Sequence, residues 1–408
     1  MKVLLLANYA NDGQESMQRF ASLMARGLLR AGHEVQSLRP PACIGQLHPS
    51  AHGFGKWLGY VDKFGVFPPL LRSAVKSADV VHICDHSNSF YTRYMRSVPH
   101  IVTCHDLLAI RSAQGDIPQK QTGWTGRRLQ RLIVKGLTGA QHIVCVSEAT
   151  RRDLLRVIDI PESRVSRTYN SLNYPYSRME AHKAEFRIRQ LGVDPSQPFF
   201  LHVGGNQWYK NRLGVLRIFS ILARRMAGSS PKFVMVGKPW TAEMRRFVLE
   251  HGMADSTLEL TGLPEEDLRA LYSTAAMMIF PSLQEGFGWP IIEAQACGCP
   301  VATSNRSPMN EIGGDAAIYI DPEIPESAAA AVQCSLENSA VIRESSLANA
   351  ARFKVSAMID SYLSLYEKVR NETYARKHGT KMIGRTGPYI DSRSPASLTA
   401  TFRHKELS

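Results

Sequence analysis

The stretch EGFGWPIIEAQACGCPV, residues 285–301, places an unusual helix start inside an otherwise apolar, helix-like pattern. It follows the apolar run MMIFPS (277–282), which is typical of a buried strand, with LQEGFG (283–288) as the connecting loop. We predict that a helix begins around Trp289 and has Pro290 in its first turn, where a missing N–H costs nothing. A strand, a glycine-containing loop and a helix in this order indicate one unit of an α/β sheet.

The loop before this helix has the features of an anion site. The backbone N–H groups of Phe287, Gly288 and Trp289 are free to point outward, at the positive end of the helix dipole. Gly286 and Gly288 carry no side chain, so a ligand can approach the backbone closely. The pattern therefore predicts that an anionic group binds at this helix start.

Two glutamates beside an anion site are explained if they bind neutral hydroxyl groups. Glu285, in the loop, can accept hydrogen bonds on one side of the anion, and Glu293, a turn inside the helix, on the other. A ligand with a sugar, a diphosphate and a ribose in a row fits this arrangement, which suggests a nucleotide sugar. The alternative is a glycine-rich loop whose glutamate only complements the helix dipole.

Strand-like and helix-like patterns alternate along the rest of the chain. In the first half, strand-like runs lie at 2–9, 33–38, 80–84, 100–104, 142–147 and 165–170. In the second half they lie at 199–205, 232–237, 258–262, 277–282, 300–304 and 317–321. Such alternation predicts mostly parallel sheets with helices on both faces.

A polar, proline-containing segment, 173–197, separates the two halves. We predict two doubly wound α/β domains, 1–172 and 173–355, that face a central cleft at the carboxyl ends of their strands. A C-terminal helix, 356–373, is expected to pack back on the first domain. Residues 374–408 contain few aliphatic side chains and are expected to form a disordered tail.

The chain has 408 residues and a formal net charge of +13, which favours anionic partners. No nucleic-acid-binding motif accompanies the charge, so we expect no nucleic-acid partner. Seven scattered cysteines do not suggest a disulfide framework, and Cys297 and Cys299 fit packing better than metal binding. The short apolar start is no signal peptide and no apolar run is long enough to span a membrane, so we expect a cytoplasmic protein.

The segment 111–135 is basic and amphipathic, with leucines and an isoleucine between arginines and lysines. Such a helix can lie on anionic lipid, which would make the protein peripheral on the inner face of a membrane and its acceptor lipid-linked. The alternative is a basic helix face that is simply solvated.

Several segments together resemble one enzyme family. PSLQEGFGWPIIEAQACGCPV (281–301) is similar to the E-x7-E segment of the retaining group 1 (family four) glycosyltransferases, which have the GT-B fold of two Rossmann-like domains. The resemblance continues in the second half, and more weakly in the first half. The matching segments are SPMNEIGGDAAIYIDP (307–322), LTGLPEEDLRALYSTA (260–275), VGGNQWYKNRLGVLRIF (203–219), GHEV (32–35), TCHDL (103–107) and VSEATRRDL (146–154).

The resemblance implies that a sugar moves from a nucleotide donor to an acceptor hydroxyl of a growing glycan, with retention at the anomeric carbon. It implies catalytic roles for Glu285 and His105 at the donor sugar and for Lys210 at the leaving diphosphate. Frequency within the family makes mannose the expected sugar. The implied donor-binding residues are Gly205, Asn206, Gly237, Lys238, Leu263, Gly286, Phe287, Gly288, Trp289, Pro290 and Glu293.

This sequence departs from the family in two places. The family commonly has an arginine shortly before the phosphate-binding lysine, but here Gly205–Lys210 reads GNQWYK, so Arg212 or Lys238 would have to supply that charge. The glycine pair after the first strand is also missing, because NYANDGQES contains only Gly13.

Other functions are less well supported by the residues. No D-x-D motif occurs, so we expect neither a metal ion nor another cofactor. From the pattern alone, His105 and Asp106 fit a turn as well as an acid/base pair. No G-x-G-x-x-G opens a helix, so an NAD enzyme is not indicated. Two alternatives remain. One is a nucleotide-sugar-binding protein with an inactivated cleft, and the other is a related phosphorylase or epimerase.

Overall fold

The computed structural model describes residues 1–48 and 53–378, which build two six-stranded parallel sheets. The first sheet has the order β2-β1-β3-β4-β5-β6 and the second β12-β11-β10-β7-β8-β9. The strands are β1 Lys2–Leu6, β2 Glu34–Leu38, β3 Val80–Ile83, β4 His100–Cys104, β5 His142–Cys145, β6 Val165–Arg167, β7 Phe199–Gly204, β8 Lys232–Gly237, β9 Thr257–Thr261, β10 Met277–Phe280, β11 Val301–Ser304 and β12 Ala317–Ile320.

Helices connect these strands and cover both faces of each sheet. They are α1 Glu15–Arg30, α2 Gly53–Val61, α3 Phe67–Val75, α4 Leu108–Gln114, α5 Trp124–Thr138, α6 Glu148–Val157, α7 Ala181–Gln190, α8 Arg212–Arg225, α9 Ala242–Glu250, α10 Glu265–Thr274, α11 Trp289–Ala296, α12 Met309–Gly313, α13 Pro325–Ser335, α14 Ser339–Ala350 and α15 Val355–His378. A π-helical turn, Asp62–Val66, joins α2 to α3, and a 3₁₀ helix, His86–Tyr94, follows β3.

The strands form parallel sheets because their apolar side chains are buried on both faces. In β1, Leu4 and Leu6 pack into one core while Val3 and Leu5 pack into the core on the other face. The second sheet is likewise flanked by two cores. The predicted α/β fold with two doubly wound domains is therefore confirmed. The exact boundary at residues 172 and 173 falls between β6 and α7 and stays a prediction.

Helix α15 returns to the first sheet, as predicted for residues 356–373. Ile359, Tyr362 and Tyr366 are buried in the same core as Phe20 of α1 and Val3 of β1. The helix is longer than predicted, because it begins at Val355 and continues to His378.

Residues 374–378, predicted to be part of a disordered tail, are therefore helical. The rings of Tyr374 and His378 stack at 4.1 Å, one turn apart, and His378 Nδ1 lies 3.0 Å from the carbonyl oxygen of Tyr374. This local contact extends the helix by a turn beyond its buried part. The remainder of the predicted tail, 379–408, lies outside the described residues.

We expect Tyr362→Ala to lower the free energy of unfolding by about 3–5 kcal/mol, because it empties a ring-sized space in the core. The ring of Tyr362 is fully buried, stacks on His82 at 5.1 Å, and its hydroxyl lies 3.0 Å from Thr103 Oγ1. Urea denaturation measures the loss. The control is Tyr374→Ala on the same helix, where the side chain is exposed and the expected change is within about 0.5 kcal/mol. Equal effects of the two substitutions would contradict the packing described for α15.

Candidate active site

Lys210 and Glu285 lie together at the carboxyl edge of the second sheet. Lys210 ends the short 3₁₀ turn after β7, and Glu285 lies in the loop between β10 and α11. The Lys210 Nζ lies 2.7 Å from Glu285 Oε1, and the side chains are only 16% and 8% exposed. The two loops are tied by the N–H of Leu283, which donates to the carbonyl oxygen of Tyr209 at 2.7 Å. The structure thus brings together two of the three residues predicted to be catalytic.

Helix α11 begins at Trp289, as the sequence predicts. Gly288 directly precedes it with φ 99°, a backbone conformation that favours glycine. Pro290 lies in the first turn, and the ring of Phe287 is buried against Phe353 and Trp289. Within residues 1–48 and 53–378, neither the N–H of Phe287 nor that of Gly288 donates a hydrogen bond. These amides remain available to an anion at the helix start.

Glu293, the second glutamate of the quoted stretch, is buried inside α11. The Tyr272 hydroxyl donates to its Oε2 at 3.1 Å. Burial, and then the nearby charge of Glu265, raise the pKa of Glu293 to about 7. Glu265 is itself held by the Tyr176 hydroxyl and by Arg19 of the first domain, whose Nη1 lies 2.7 Å away. Glu293 therefore lies at the position predicted for it, and its role at a ribose stays a prediction.

We expect Glu293→Gln to make the chain more stable at pH 8 by about 1–3 kcal/mol. The folded state holds a proton on Glu293 up to about pH 7, whereas the ordinary pKa is 4.5. The stability from this group is therefore fully present below about pH 4.5 and is lost as the pH rises to about 7. Glutamine keeps the contact with Tyr272 but has no charge to bury.

Thermal midpoints between pH 4.5 and pH 8 test this expectation. The difference in thermal midpoint between Glu293→Gln and the parent should shrink steadily as the pH falls towards 4.5. Glu344→Gln on α14 is the control, because that side chain is exposed and its replacement should give no pH-dependent gain. An advantage of Glu293→Gln that does not change with pH would contradict the ionisation of this glutamate as its cause.

His105 follows β4 in the first domain and faces α11 across the cleft. It is buried, its Nε2 donates to the carbonyl oxygen of Cys84 at 2.9 Å, and its ring meets Phe20 edge-on at 4.7 Å. Burial lowers its pKa. Nε2 carries the proton, so Nδ1 is an acceptor, and it has no partner among the described residues. The ring lies 6.4 Å from that of Trp289.

The two domains meet at Gly286. A Cβ atom there would overlap the carbonyl oxygen of His105 and lie 2.9 Å from its carbonyl carbon. The Ser147 and Thr150 hydroxyls donate to the carbonyl oxygen of Gly286 at 2.8 and 3.2 Å. His105 is thereby fixed beside the loop that carries Glu285. Ser147 and Thr150 were not predicted to join the domains, although both lie in the segment VSEATRRDL.

A second contact between the domains was likewise not predicted from the sequence. The carboxylate of Glu311 on α12 accepts from the backbone N–H of Glu148 at 2.8 Å and of Ala149 at 3.4 Å. It therefore caps the N-terminus of α6 in the other domain, where a negative charge is favoured. Together with the ion pair of Arg19 and Glu265, this contact links the two domains.

The loops after β7 and β8 form the side of the site where the nucleotide is predicted. Gly237 has φ 144°, and a Cβ atom there would overlap the carbonyl oxygen of Gly204. The side-chain amide of Asn206 donates to the carbonyl oxygen of Pro239 at 2.7 Å, next to Gly205. Leu263 is half-buried in the loop between β9 and α10. These predicted donor-binding residues therefore share one edge of the second sheet.

Arg212, in the first turn of α8, fits the missing family arginine better than Lys238 does. Its side chain is buried, and its Nη1 donates to Asn206 Oδ1 and to the carbonyl oxygen of Lys238. Among the described residues, Nε and Nη2 have no hydrogen-bond partner. Burial lowers the pKa of this guanidinium. Lys238 is exposed instead, with Nζ 3.6 Å from Glu15 of the first domain.

In the part of the chain that the structure describes, no three or more His, Cys, Asp or Glu side chains cluster closely enough to hold a metal ion. Cys297 and Cys299 are buried free thiols. Independence from metal therefore stays a prediction. None of the described helices is both long and apolar enough to cross a membrane.

The amino-acid sequence matches two family profiles, one in each half. Residues 183–353 match the profile "Glycosyl transferases group 1", and residues 17–174 match "Glycosyltransferase Family 4". The chain is 26% identical over 254 residues to O-antigen chain mannosyltransferase B of Escherichia coli. That match covers 62% of this chain and 65% of the relative, slightly less than two thirds of the relative's length.

Solved structures share the fold. Sucrose-phosphate synthase of Thermosynechococcus elongatus superposes with a TM-score of 0.72 at 17% identity, covering 91% of this chain and 100% of that one. The Anabaena protein HepE, solved in complex with UDP and glucose, gives 0.68 at 15% identity over 90% and 100% of the two chains. The chain belongs to the group 1 glycosyltransferases and has the predicted two-domain GT-B fold.

Proposed function

We propose that this chain transfers a sugar from a nucleotide-sugar donor to an acceptor hydroxyl of a growing glycan, with retention at the anomeric carbon and without a metal ion. The observation that carries the proposal is the mostly buried Lys210–Glu285 ion pair, 2.7 Å long, beside the free amides at the start of α11. It lies where the two domains meet. The E. coli relative named a mannosyltransferase supports mannose as the sugar.

The residues of this site suit the charges that develop in such a transfer. When the bond between the sugar and the diphosphate breaks, negative charge grows on the diphosphate and positive charge on the sugar ring. Lys210 and the amides of Phe287 and Gly288 would stabilise the first charge, and Glu285 would face the second. The acceptor's hydroxyl oxygen forms the new bond to the anomeric carbon, and its proton passes to the departing phosphate on the same face.

His105 would orient the donor sugar rather than exchange a proton. Its Nε2 is held by the carbonyl oxygen of Cys84, and burial keeps the ring neutral. The remaining Nδ1 can accept a hydrogen bond from a sugar hydroxyl. Because the His105 backbone contacts Gly286, the Nδ1 atom of His105 keeps a fixed position relative to Glu285.

Helix α5 supports peripheral contact with an anionic membrane and a lipid-linked acceptor. The Trp124 side chain is 65% exposed, and the Arg128 guanidinium lies 4.0 Å from the centre of its ring. Arg127, Arg131 and Lys135 are exposed on the same helix, while Ile133 is buried below them. An aromatic ring among basic side chains is suited to the lipid headgroup region.

Co-sedimentation with vesicles tests this contact. We expect binding to vesicles that contain phosphatidylglycerol, because the basic side chains attract the anionic headgroups, and little binding to pure phosphatidylcholine. Trp124→Ala combined with Arg127→Glu should reduce it strongly. Arg225→Glu, an exposed arginine on α8 of the second domain, is the control. Equal binding to both vesicle types would contradict a role for the basic face.

A thermal-shift assay tests the proposed donor site. It uses UDP, GDP, ADP and CMP sugars, each with magnesium and with a chelator. Stabilisation by sugars of one base, equal in both conditions, is expected, since a ligand that binds only the folded state raises the midpoint. Stabilisation that requires magnesium would contradict metal independence. No stabilisation by any donor would contradict the donor site, and binding without turnover would favour a protein with an inactivated cleft.

A further inference from the structure

A cavity lies between the domains, directly beside the candidate active site. It has a volume of about 470 Å³. The second domain lines it with Leu283 and Gln284, the residues before Glu285, and with Arg306 after β11. The first domain lines it with Arg111 on α4 and Arg152 on α6. The cavity is therefore built by the same loop that carries the proposed sugar-binding glutamate.

The topology puts this cavity on the side of Glu285 away from the nucleotide. In the second sheet, β10 lies between β11 and β7, and β8 and β9 follow beyond β7. The residues expected at the nucleotide follow β8 and β9, whereas Arg306 follows β11. A group bound in the cavity would therefore lie on the far side of Glu285 from the nucleotide base. There it can hold a part of the acceptor away from its reacting hydroxyl, which reaches the sugar on the face of the leaving phosphate.

The cavity wall has an excess of positive charge. It contains three arginines and one acid, Asp153, whose Oδ2 accepts from Arg111 Nη1 at 3.0 Å. Arg306 is paired with Glu323 and lies 3.9 Å from Asp321, and neither of these acids lines the cavity. In the described part of the chain, Arg152 bonds only to the Ser307 hydroxyl, at 3.2 Å, and forms no ion pair.

Two buried polar atoms of the lining residues also lack a partner within the described ranges. They are the Nε of Arg111, a donor, and the Oε1 of Gln284, an acceptor. Because both atoms are buried, an oxyanion that also carries a hydroxyl could use them only if the lining side chains shift. Guanidinium groups are well suited to such a ligand, because their N–H fork matches the oxygens of a phosphate or carboxylate.

We propose that this cavity binds an anionic group, a phosphate or a carboxylate, on the acceptor sugar. The inference rests on the proposed function, since it names the class of acceptor for that site. Arg152 and Arg306 come from different domains, so an anion bound by both would link the domains. An acidic acceptor bound there would be held beside the loop that carries Glu285.

The test compares mannose 6-phosphate, mannuronate and mannose as ligands of the full chain by isothermal titration calorimetry. We expect at least one of the two acidic sugars to bind and mannose not to bind. Arg152→Ala and Arg306→Ala should each weaken that binding at least tenfold, because each removes a guanidinium from the wall. Comparison of the two acidic sugars identifies which anion the cavity prefers.

Arg156→Ala is the matched control, because Arg156 lies on the same helix α6 and pairs with Asp153 without lining the cavity. Thermal midpoints without ligand show whether each variant is folded. Equal binding of mannose and the acidic sugars, or no binding of either acid, would overturn the proposal. The proposal would also be overturned if the acidic sugars still bind to both arginine variants but no longer bind to Lys210→Ala, because the anion would then occupy the diphosphate site.

The same variants separate this proposal from the proposed function. Arg152→Ala and Arg306→Ala should keep the stabilisation by nucleotide sugars, because neither arginine lies at the nucleotide side. Nucleotide binding without acidic-sugar binding would overturn only the acceptor site. Acidic-sugar binding at the arginines without any nucleotide binding would support the cavity as an anion site and overturn the transfer function.

Discussion

Lys210→Ala is expected to lower the rate of sugar transfer by about 10²–10³-fold, the typical effect of removing one preorganised donor to a developing charge. Lys210 is nearly buried and held 2.7 Å from Glu285, so its ammonium group does not need to reorganise when the diphosphate departs. We expect most of the loss in kcat, because the charge on the diphosphate grows in the transition state. Release of the nucleoside diphosphate in a coupled assay measures the rate.

The ion pair also contributes to stability, and a double variant separates the two effects. Lys210→Ala leaves the carboxylate of Glu285 buried and unpaired, which destabilises the fold. Lys210→Met combined with Glu285→Gln removes both charges and should restore the thermal midpoint but not the transfer rate. A transfer rate within threefold of the parent in either variant would contradict the assigned role of Lys210.

Gly286→Ala is expected to reduce transfer by about 10²-fold, because a 1 Å displacement of reacting groups can have an effect of that size. The added methyl group would overlap the carbonyl oxygen of His105 and lie 3.0 Å from Asp106 Cβ. The overlapped atom belongs to the backbone, so the domains must move apart rather than a side chain rotate. The Nδ1 atom of His105, a hydrogen-bond acceptor, would then move away from the loop that carries Glu285.

Small-angle scattering together with the transfer assay measures this effect. The variant should have a larger radius of gyration and lower activity. Gly228→Ala is the control, because that glycine is exposed and a Cβ atom there meets no other atom within 4 Å. A fully active Gly286→Ala variant with unchanged scattering would contradict the described contact between the domains.

The local parts of this site could be predicted from the sequence because neighbouring residues determine them. Gly288, Trp289 and Pro290 specify a left-handed residue followed by a helix start, and the helix begins where they predict. The strands were predictable for the same reason, since runs such as that of β1 are apolar on both faces. Only the family resemblance predicted that Lys210 and Glu285 share one site, because 74 residues separate them, and their ion pair was not predicted.

The contacts between the domains could not be predicted, because they join residues that are distant in the sequence and ordinary in type. Glu311 lies in a segment that matches the family, but nothing local shows that it caps α6, more than 160 residues earlier. In the sequence, Arg19 and Glu265 likewise lie near the starts of two separate helices, and nothing local indicates that they pair. Only the folded structure places Arg19 Nη1 2.7 Å from Glu265. The preference for Arg212 over Lys238 depends on burial, which only the packing of α8 reveals.

The most direct test of the account follows the reaction by proton NMR, using the nucleotide sugar that stabilises the chain most. The proposed function predicts that nucleoside diphosphate is released and that the first sugar product has the anomeric configuration of the donor. It also predicts that Lys210→Ala and Glu285→Ala slow both signals together. A first product of inverted configuration would contradict the retaining mechanism, and release that is unchanged in both variants would contradict the site itself.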